Sequence, residues 1–530
     1  MQEKRRIARA TGIMALATGL SRVAGLLRDM VVAAVFGAGY AADAFFVAFT
    51  IPNLLRRFFA EGSLTAAFVP TFAEVHHRDG VEASREVFRI CWTLLVMVLA
   101  AVTILGVLAS PWVVQLIGYG FGDVPGKLEL TDLLNRIMFP YIFFVSLVAL
   151  LAGVLNVHGH FLSPSLSPVF LNLAMIAAAL WLAPLFSTPI VALAVGVLIG
   201  GVVQLIMQLP VLYRYNYDLK FDFRFRHPSV RRVSRLMIPG IVGVAIYQIN
   251  VVVTRLFASL LEEGTVSWLY YGQRLFEFPQ GIFVVSLAQA VLPSMSRQLA
   301  AKDQDGFRES LRFSLALILL VTLPAALGMV FCAEAIYSLF FLGGAFTAYD
   351  VAQSARALAW YAPGLVFVGI SRVVAPTFYA LQDTRTPVWV SFWTLLVSIV
   401  ASLLLMRPMQ HAGLALALTV SSVFNALALL WLLDRRLQGI ALRHLFNFSL
   451  RLLPGLLAMS VVSIGLLGLV DWQVKGVFWQ RLMLLLGAVA CGSVSYLAGC
   501  WLCRVGEVSK LWELVSARIS RRRREQAHAG

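Results

Sequence analysis

Seven charged side chains interrupt an otherwise apolar stretch between Ser21 and Gly62. They are Arg22, Arg28, Asp29, Asp43, Arg56, Arg57 and Glu61, and the runs MVVAAVF and AFFVAF lie among them. The stretch predicts two membrane-spanning helices joined by a Gly-rich turn around Gly37–Gly39. An arginine at a bilayer centre costs about 2.5–3.5 kcal/mol even on lenient insertion scales. We therefore expect these side chains to face a protein interior or a water-filled cavity, and their excess positive charge predicts an anion-binding cavity.

Composition places the rest of the chain in the membrane as well. Of the 530 residues, 60% are hydrophobic and only 13% are charged, which leaves too little polar surface for a soluble protein of this length. The formal net charge of +16 comes from basic residues that stand between apolar runs and not in one patch. This distribution is typical of topology signals in a polytopic membrane protein, so we expect no nucleic-acid partner.

Fourteen apolar runs of spanning length can be counted between charged or Pro/Gly-rich breaks. The predicted helices lie at about 10–36, 41–69, 86–109, 131–156, 163–184, 189–213, 235–261, 266–296, 308–332, 350–381, 387–406, 411–433, 444–469 and 478–503. The loops that would share one side of the membrane with the N-terminus carry most of the Lys and Arg. The positive-inside rule therefore predicts that both termini are cytoplasmic.

The longest basic stretch, YRYNYDLKFDFRFRHPSVRRVSR, separates six predicted helices from eight. Its alternating aromatic and charged residues allow a strand or a nucleic-acid contact, but a linker lying on an anionic leaflet is favoured. We predict five segments: an N-lobe over 1–213, a basic amphipathic linker over 214–234, a C-lobe over 235–435, two more helices over 436–503 and a basic cytoplasmic tail over 504–530.

The eighth predicted helix carries a second informative stretch, SWLYYGQRLFEFPQG, which opens at Ser267. Arg274 and Glu277 are three residues apart and are therefore neighbours on one helical face. One interpretation is an internal ion pair that fixes the helix, and the other is a place in the anion site. Pro279 and Gly281 are expected to loosen the helix just beyond, as backbone that lines a cavity can tolerate at membrane depth.

Arginine suits phosphate because its guanidinium is always charged and its planar fork of N–H donors matches two oxygens at once. A diphosphate would be bound better than a monovalent ion if four side chains converged: Arg22, Arg28, Arg56 and Arg274. Arg22 and Asp29 are seven apart and share a face of the first helix, whereas Arg28 is expected to point elsewhere. Asp43 is expected to balance one arginine when no substrate is bound.

Other familiar motifs are absent from the sequence or isolated in it. The five cysteines lie mostly in apolar runs, and Cys500 and Cys503 have no second pair beside them, so neither a disulfide nor a metal is expected. His158 and His160 fall in a short loop, where a surface position is expected. No P-loop, HExxH or Gly-x-Ser-x-Gly motif occurs, so ATP hydrolysis in cis and hydrolase chemistry have no support. We expect no cofactor, and membrane potential or a coupling ion as the energy source.

Four stretches resemble the signature sequences of the MurJ (MviN) family: SRVAGLLRD, FGAGYAADAFFVAFTIPNLLRRFFAEG, SWLYYGQRLFEFPQG and APTFYALQDTRTPV. Members of that family are lipid II flippases of the bacterial inner membrane, within the multidrug/oligosaccharidyl-lipid/polysaccharide (MOP) exporter superfamily. The resemblance covers essentially the whole chain. It implies an all-α integral membrane protein with fourteen transmembrane helices, arranged as two six-helix lobes plus two C-terminal helices around a central cavity.

The resemblance also implies functional residues. The essential arginines of the family fall here on Arg22, Arg28, Arg56 and Arg274, and Asp43 is the matching acidic residue. The last two helices, about 444–503, are expected to help form a groove for the polyprenyl tail. The candidate substrate-binding set is completed by Asp29, Ser267 and Glu277. Many relatives have an acidic residue before the eighth-helix arginine, where this chain has Gln273, which leaves open how Arg274 is neutralised.

The function implied is translocation of lipid II, an undecaprenyl-diphosphate-linked disaccharide peptide, from the cytoplasmic to the periplasmic leaflet by alternating access. No covalent bond would change, so no enzyme activity is expected. Beyond lipid II and the bilayer, protein partners from cell-wall synthesis or division stay open. The alternative is an exporter of another polyprenyl-diphosphate oligosaccharide or a drug within the same superfamily. A cationic drug would require acidic cavity residues, a membrane glycosyltransferase would require carboxylates and a sizeable outer loop, and a scaffold would gain nothing from intramembrane arginines.

Overall fold

The computed structural model describes residues 2–58, 63–437, 439 and 442–506, and over these ranges the chain is almost entirely helical. The helices are α1 (Gln2–Phe36), α2 (Tyr40–Arg56), α3 (Ser63–Arg78), α4 (Gly80–Leu108), α5 (Ser110–Ile117), α6 (Lys127–Met138), α7 (Tyr141–Val157), α8 (Leu162–Ala177), α9 (Ile190–Arg214), α10 (Pro228–Ser259), α11 (Thr265–Pro279), α12 (Val285–Ala300), α13 (Gln304–Phe341), α14 (Ala348–Tyr361), α15 (Gly364–Ala380), α16 (Arg385–Met409), α17 (His411–Arg436), α18 (Leu442–Leu467) and α19 (Phe478–Leu502). Glu61 and most of the predicted basic tail lie outside the described residues.

Each of the fourteen predicted segments overlaps at least one of these helices, so the all-helical class is confirmed. Within the described ranges, ten helical stretches are long and apolar enough to cross a bilayer, or eleven if the bent pair α14–α15 forms one span. The chain is therefore a multi-pass membrane protein. The remaining predicted spans are α1, α2 with α3, and α10, and the count of fourteen stays a prediction.

Glycine and proline set the breaks between the helices. The predicted turn at Gly37–Gly39 is confirmed, because α1 ends there and Gly37 adopts φ 66°, a conformation that suits residues without a Cβ. The predicted span over 131–156 corresponds to one candidate membrane span, Lys127–Val157, but its helix is interrupted. The break lies at Pro140, which has no N–H to continue the ladder, so α6 ends before it and α7 begins after it. The predicted loosening beyond Pro279 is confirmed by a π-helical turn over Gln280–Val284.

The helices group into two compact units. The first runs to Ser267 and also takes in Gly343–Phe346, whose Ala345 N–H donates to the carbonyl oxygen of Ala34 at 2.8 Å. The second begins at Trp268. Because α10 packs on α3 and α5, it belongs with the first unit together with the linker that precedes it. The two predicted lobes, with their boundary at the linker, remain a prediction.

In the first unit, α1 packs on α8, α8 on α9, and α2 on α6 and α7. A second group of helices, α3, α4, α7 and α10, surrounds a core of aromatic and aliphatic side chains that includes Phe68, Phe72 and Phe88, each at most 1% exposed. Burial of such side chains against neighbouring helices fixes the positions of α3, α4, α7 and α10.

In the second unit, the 38-residue helix α13 packs on α14, α15 and α18, while α16 pairs with α17 and α18 with α19. An open cavity of about 370 Å³ lies beside α13 where α18 ends, lined by Phe331, Glu334, Leu467 and Trp472 among others. The predicted polyprenyl groove over 444–503 falls on α18 and α19 and stays a prediction.

The linker between α9 and α10 is hydrogen-bonded to the N-terminal half of α4. The Tyr217 hydroxyl shares a 2.8 Å hydrogen bond with the hydroxyl of Ser84, and Arg89 Nη2 donates to Asp218 Oδ2 at 2.6 Å. Further along, the Asp222 N–H donates to Thr93 Oγ1 at 2.7 Å. Because Ser84, Arg89 and Thr93 follow one another along α4, the linker runs along this helix for about two and a half turns.

A histidine cluster lies beside the same part of the linker. The ring of His158 lies 4.7 Å from that of His76, 4.8 Å from that of Tyr215 and 5.3 Å from that of Tyr217. His158 is half-buried, and its ring forms part of the support on which the linker packs. Burial, then the nearby His158 and His77, lower the pKa of His76 below its ordinary 6.5.

These shifts predict how acid weakens the attachment of the linker. The hydrogen bond from Arg89 lowers the pKa of Asp218 to about 2, so this pair stabilises the folded state above the ordinary pKa of 3.8 and is lost only as pH falls towards 2. His76 is held neutral, so its contribution is present above pH 6.5 and declines as pH falls below it. We therefore expect amide exchange of the linker, corrected for intrinsic rates, to accelerate between pH 7 and pH 5.5.

His76→Phe tests the source of this acceleration. Phenylalanine keeps a ring between Phe72 and His158 but cannot take up a proton, so the acceleration should become smaller. The measurement is hydrogen–deuterium exchange of peptides spanning the linker in the wild type and the variant. An acceleration of the same size in both proteins would assign the effect to another group.

Candidate functional site

Arg28 is a buried arginine on α1, with 6% of its surface exposed. Its Nε and Nη2 donate to Asp29 Oδ1 at 3.0 and 2.6 Å. Its Nη1 donates to Asn172 Oδ1 on α8 at 3.1 Å and lies 3.9 Å from Met175 Sδ. Asp29 is itself only 2% exposed, so this ion pair is held inside the first unit where α1 packs on α8.

The pairing corrects one expectation. Helical spacing predicts that Arg28 points away from the face that Arg22 and Asp29 share, and for Arg28 and Asp29 this is wrong. Neighbouring positions on a helix diverge by about 100°. The long arginine side chain nevertheless folds back to the carboxylate, and Asn172 holds the guanidinium from the other side. The pair is neutral as a whole, which reduces the cost of burying either charge.

Arg22 and Arg56 are both half-buried in the first unit. Arg22 stands nearly two turns before Arg28 on α1, where the Asn172 side chain also donates to the Ser21 carbonyl oxygen at 3.4 Å. Arg56 closes α2, and its Nε donates to Asn53 Oδ1 at 3.0 Å. Asn53 carries no charge, so this hydrogen bond orients the guanidinium without neutralising it.

Asp43 is the centre of a different polar cluster, in the first turn of α2. It is 1% exposed and accepts from four donors: the N–H of Gly264 at 2.8 Å, the N–H of Ser267 at 2.9 Å, the hydroxyl of Ser267 at 2.7 Å and Lys127 Nζ at 3.3 Å. These bonds tie α2 to α6 and to the start of α11. The expectation that Asp43 balances an arginine is wrong in this structure, because its cationic partner is a lysine.

Lys127 is a residue of this cluster that the sequence pattern does not single out. It is 2% exposed at the start of α6, with Nζ 4.4 Å from the centre of the Phe121 ring and 5.7 Å from that of Tyr40. A lysine enclosed by a carboxylate and two aromatic faces is well compensated for its loss of water. Because 84 positions separate it from Asp43, no local spacing could have indicated the pair.

Arg274 belongs to the second unit, on α11. Its Nη1 lies 3.7 Å from Glu277 Oε2, which confirms that the two residues share a helical face. Gln273 Nε2 donates to Glu277 Oε1 at 3.4 Å. The side chains of Arg274 and Glu277 are 43% and 38% exposed, so the ion pair is weak and the guanidinium remains accessible. The sequence left open how Arg274 is neutralised when position 273 is Gln; in the structure its acidic partner is Glu277.

Apart from Arg22, the candidate residues therefore fall into four groups: Arg28 with Asp29; Asp43 with Ser267; Arg56 with Asn53; and Arg274 with Glu277 and Gln273. A guanidinium held by one carboxylate can exchange that carboxylate for another oxyanion without losing its hydrogen-bond geometry. In the ranges that the structure describes, no group of three His, Cys, Asp or Glu side chains is placed to hold a metal ion.

The fold defines the class of protein. Solved structures of MOP-superfamily transporters share it: an inward-facing multidrug-resistance MATE transporter matches with a TM-score of 0.67 at 12% identity, covering 79% of this chain and 95% of that one. A second MOP transporter, from Pyrococcus furiosus, matches with a TM-score of 0.56 at 15% identity, covering 82% and 96%. At these identities the likeness shows the fold alone.

The sequence comparisons identify a family within this fold. The family model described as lipid II flippase MurJ matches residues 32–483, so the chain belongs to the MurJ family. The probable lipid II flippase MurJ of Vibrio cholerae is 37% identical over 93% of this chain and 95% of that protein. The lipid II flippase MurJ of Burkholderia cenocepacia is 37% identical over 87% and 89%. A solved lipid II flippase MurJ in an inward closed conformation matches with a TM-score of 0.74 at 26% identity, covering 92% and 97%.

Proposed function

We propose that this chain moves lipid II from the inner to the outer leaflet of the bacterial inner membrane. The observation that carries the proposal is the buried Arg28 guanidinium on the first helix of a chain that belongs to the MurJ family. The relatives that match over most of its length are named as lipid II flippases. In this proposal, the group that the arginines bind is the diphosphate that links the sugar to the lipid.

The diphosphate is the part of lipid II that needs the protein most. Its negative charge loses its hydration when the headgroup leaves water, which is costly unless other donors replace the water. A guanidinium replaces two water hydrogen bonds at once and supplies the opposite charge. Arg28 is already dehydrated and oriented by Asn172, so little of its freedom is lost on binding.

In the proposed cycle, Asp29 and the substrate compete for the same guanidinium. When the site is empty, Asp29 neutralises Arg28; when lipid II is bound, the diphosphate takes over part of that role. Arg22, Arg56 and Arg274 contribute further donors as access alternates between the two sides of the membrane. No covalent bond forms or breaks, so the chain acts as a transporter and not as an enzyme.

Membrane potential can supply the driving force in this proposal. An anion that moves outward across a membrane with a negative interior moves downhill, by about 2.3 kcal/mol per charge per 100 mV. A loaded carrier with net negative charge in the membrane would therefore be driven outward. An empty carrier in which Asp29 neutralises Arg28 would return with less charge to oppose it. A coupling ion is the other source of energy consistent with this scheme.

The rival proposal is export of another polyprenyl-diphosphate oligosaccharide or of a drug. A cationic drug is disfavoured because the candidate cavity residues carry an excess of arginine, and Asp43 is already satisfied by Lys127 and the Ser267 segment. Another lipid-linked oligosaccharide shares the diphosphate, so the arginines accommodate it equally well. The cargo itself has to be followed to separate the two.

Complementation tests the cargo. In a bacterium depleted of its own lipid II flippase, we expect lipid II to accumulate on the inner leaflet and expression of this chain to relieve the accumulation and restore growth. A strain that accumulates a different polyprenyl-diphosphate oligosaccharide provides the comparison. Relief in that strain alone, with this chain present in the membrane in both, would favour the rival.

A further inference from the structure

Two phenylalanine rings on the linker lie outside the packed protein. Phe221 and Phe223 are 60% and 64% exposed, and their rings stack on each other with centroids 6.4 Å apart and planes 26° apart. The residue between them, Asp222, points its side chain back to the protein, where only 13% of it is exposed. The linker therefore presents one continuous apolar surface outward while its acidic residue faces inward.

The level of this aromatic pair is fixed by α4. The Asp222 N–H donates to Thr93 Oγ1, and Thr93 is the fourth residue of a run from Ile90 to Leu108 without any charged side chain. At 1.5 Å per residue those nineteen residues span about 28 Å, close to the thickness of the hydrocarbon core. Phe221 and Phe223 thus lie where α4 enters the hydrocarbon, the level at which interfacial aromatic side chains insert.

Exposed cations surround the aromatic pair. Between Tyr213 and Arg235 the chain has seven Lys and Arg against two Asp, a net charge of +5. The side chain of Lys220 is 76% exposed and contacts Asp218, and that of Arg224 is 66% exposed and contacts Asp222 and Glu86. Arg226 is exposed as well. The Lys220 and Arg224 side chains are themselves exposed, so they can exchange these carboxylates for lipid phosphates.

We propose that the linker is a binding surface for anionic phospholipid of the surrounding bilayer. Phe221 and Phe223 insert at the boundary of the headgroups and the acyl chains, while Lys220, Arg224 and Arg226 bind the lipid phosphates. The apolar pair at hydrocarbon level favours lipid over a soluble anionic partner, since a nucleic acid or an acidic peptide would not reach the membrane boundary. This surface is independent of the proposed transport site and requires no lipid II.

Amide exchange in lipid nanodiscs tests the proposal. One set of discs contains phosphatidylcholine alone and the other an equal mixture of phosphatidylcholine and phosphatidylglycerol. For peptides covering 219–226 of the full chain, we expect exchange at least about fivefold slower in the anionic discs, the factor that about 1 kcal/mol per surface cation provides. High salt should reduce the difference, because it screens exposed charges. Equal exchange in the two kinds of disc would overturn the proposal.

Two variants separate the contributions. The triple variant Lys220→Gln, Arg224→Gln and Arg226→Gln removes the three cations, and its amides should exchange at the same rate in both kinds of disc. The amides of the double variant Phe221→Ser and Phe223→Ser should exchange faster than those of the wild type in both. A control triple at exposed cations elsewhere, Arg78→Gln, Arg297→Gln and Lys302→Gln, should keep the wild-type difference. A difference that survives in the linker triple, or disappears in the control triple, would also overturn the proposal.

Discussion

Arg28→Ala is expected to abolish complementation, and two separate effects contribute. The substitution removes the proposed diphosphate donor, and it also deprives Asp29 of the cation that neutralises it at 2% exposure. Breaking one side of a buried ion pair costs about 3–5 kcal/mol of folding free energy. Loss of activity alone would therefore not separate binding from folding, so the membrane level of the variant has to be measured beside the transport rate.

A neutral replacement of the whole pair separates the two effects. Arg28→Gln combined with Asp29→Asn leaves no buried charge, so we expect near wild-type membrane levels and melting temperature. Transport should still fall by at least about a hundredfold, because two charge-assisted hydrogen bonds to phosphate contribute about 1.5–3 kcal/mol each. Arg28→Lys should fall between, since lysine keeps the charge but lacks the planar fork.

The matched control is Arg78→Ala, which removes an arginine whose side chain is 70% exposed and paired with Asp79 and Glu74. It should transport at the wild-type rate. Wild-type transport by the neutral double variant would contradict a role for Arg28 in binding the substrate and would leave the pair a purely structural one.

Lys127→Met is expected to produce a large loss of stability. The variant removes the cationic partner of Asp43 while the carboxylate stays 1% exposed among neutral donors. We expect a loss of about 3–5 kcal/mol in the free energy of unfolding, measured in detergent by thermal or chemical denaturation. Lys475→Met, at an exposed lysine, should change stability by less than about 0.5 kcal/mol.

A double-mutant cycle isolates the interaction between the two residues. Asp43→Asn alone should also destabilise the protein, because its NH₂ would face either the Gly264 N–H at the Oδ2 position or the Ser267 donors at the Oδ1 position. The double variant Asp43→Asn with Lys127→Met should lose less than the sum of the two single losses. Additive losses would show that Lys127 and Asp43 stabilise the protein independently and that their ion pair is not the tie between α2 and α6.

The parts of the fold that follow from local sequence were predictable. Apolar runs indicated the all-helical class and most of the membrane spans, Gly37–Gly39 indicated the turn after α1, and Pro279 indicated the irregular turn after α11. The spacing of Arg274 and Glu277 indicated their pairing. Each of these features depends on helical period, backbone freedom or the missing proline N–H, and none requires knowledge of a distant partner.

The parts that depend on distant partners were not predictable. Asp43 and Lys127 meet across 84 positions, and His158 meets His76 and Tyr217 only because α3, α7 and the linker pack together. The pairing of Arg28 with Asp29 was missed for a different reason. Helical geometry separates adjacent side chains, but the reach of arginine and the hydrogen bond from Arg28 to Asn172 on α8 bring the two together.

The most direct test of the account is translocation by the purified protein in vesicles that contain lipid II as the only flippable substrate. With an inside-negative potential, we predict that lipid II placed in the inner leaflet becomes accessible to an external reagent at a rate that depends on this protein. The neutral Arg28→Gln and Asp29→Asn variant, reconstituted to the same level, should leave it inaccessible. Equal appearance of lipid II in protein-free vesicles, or full activity of that variant, would contradict arginine-based carriage of the diphosphate.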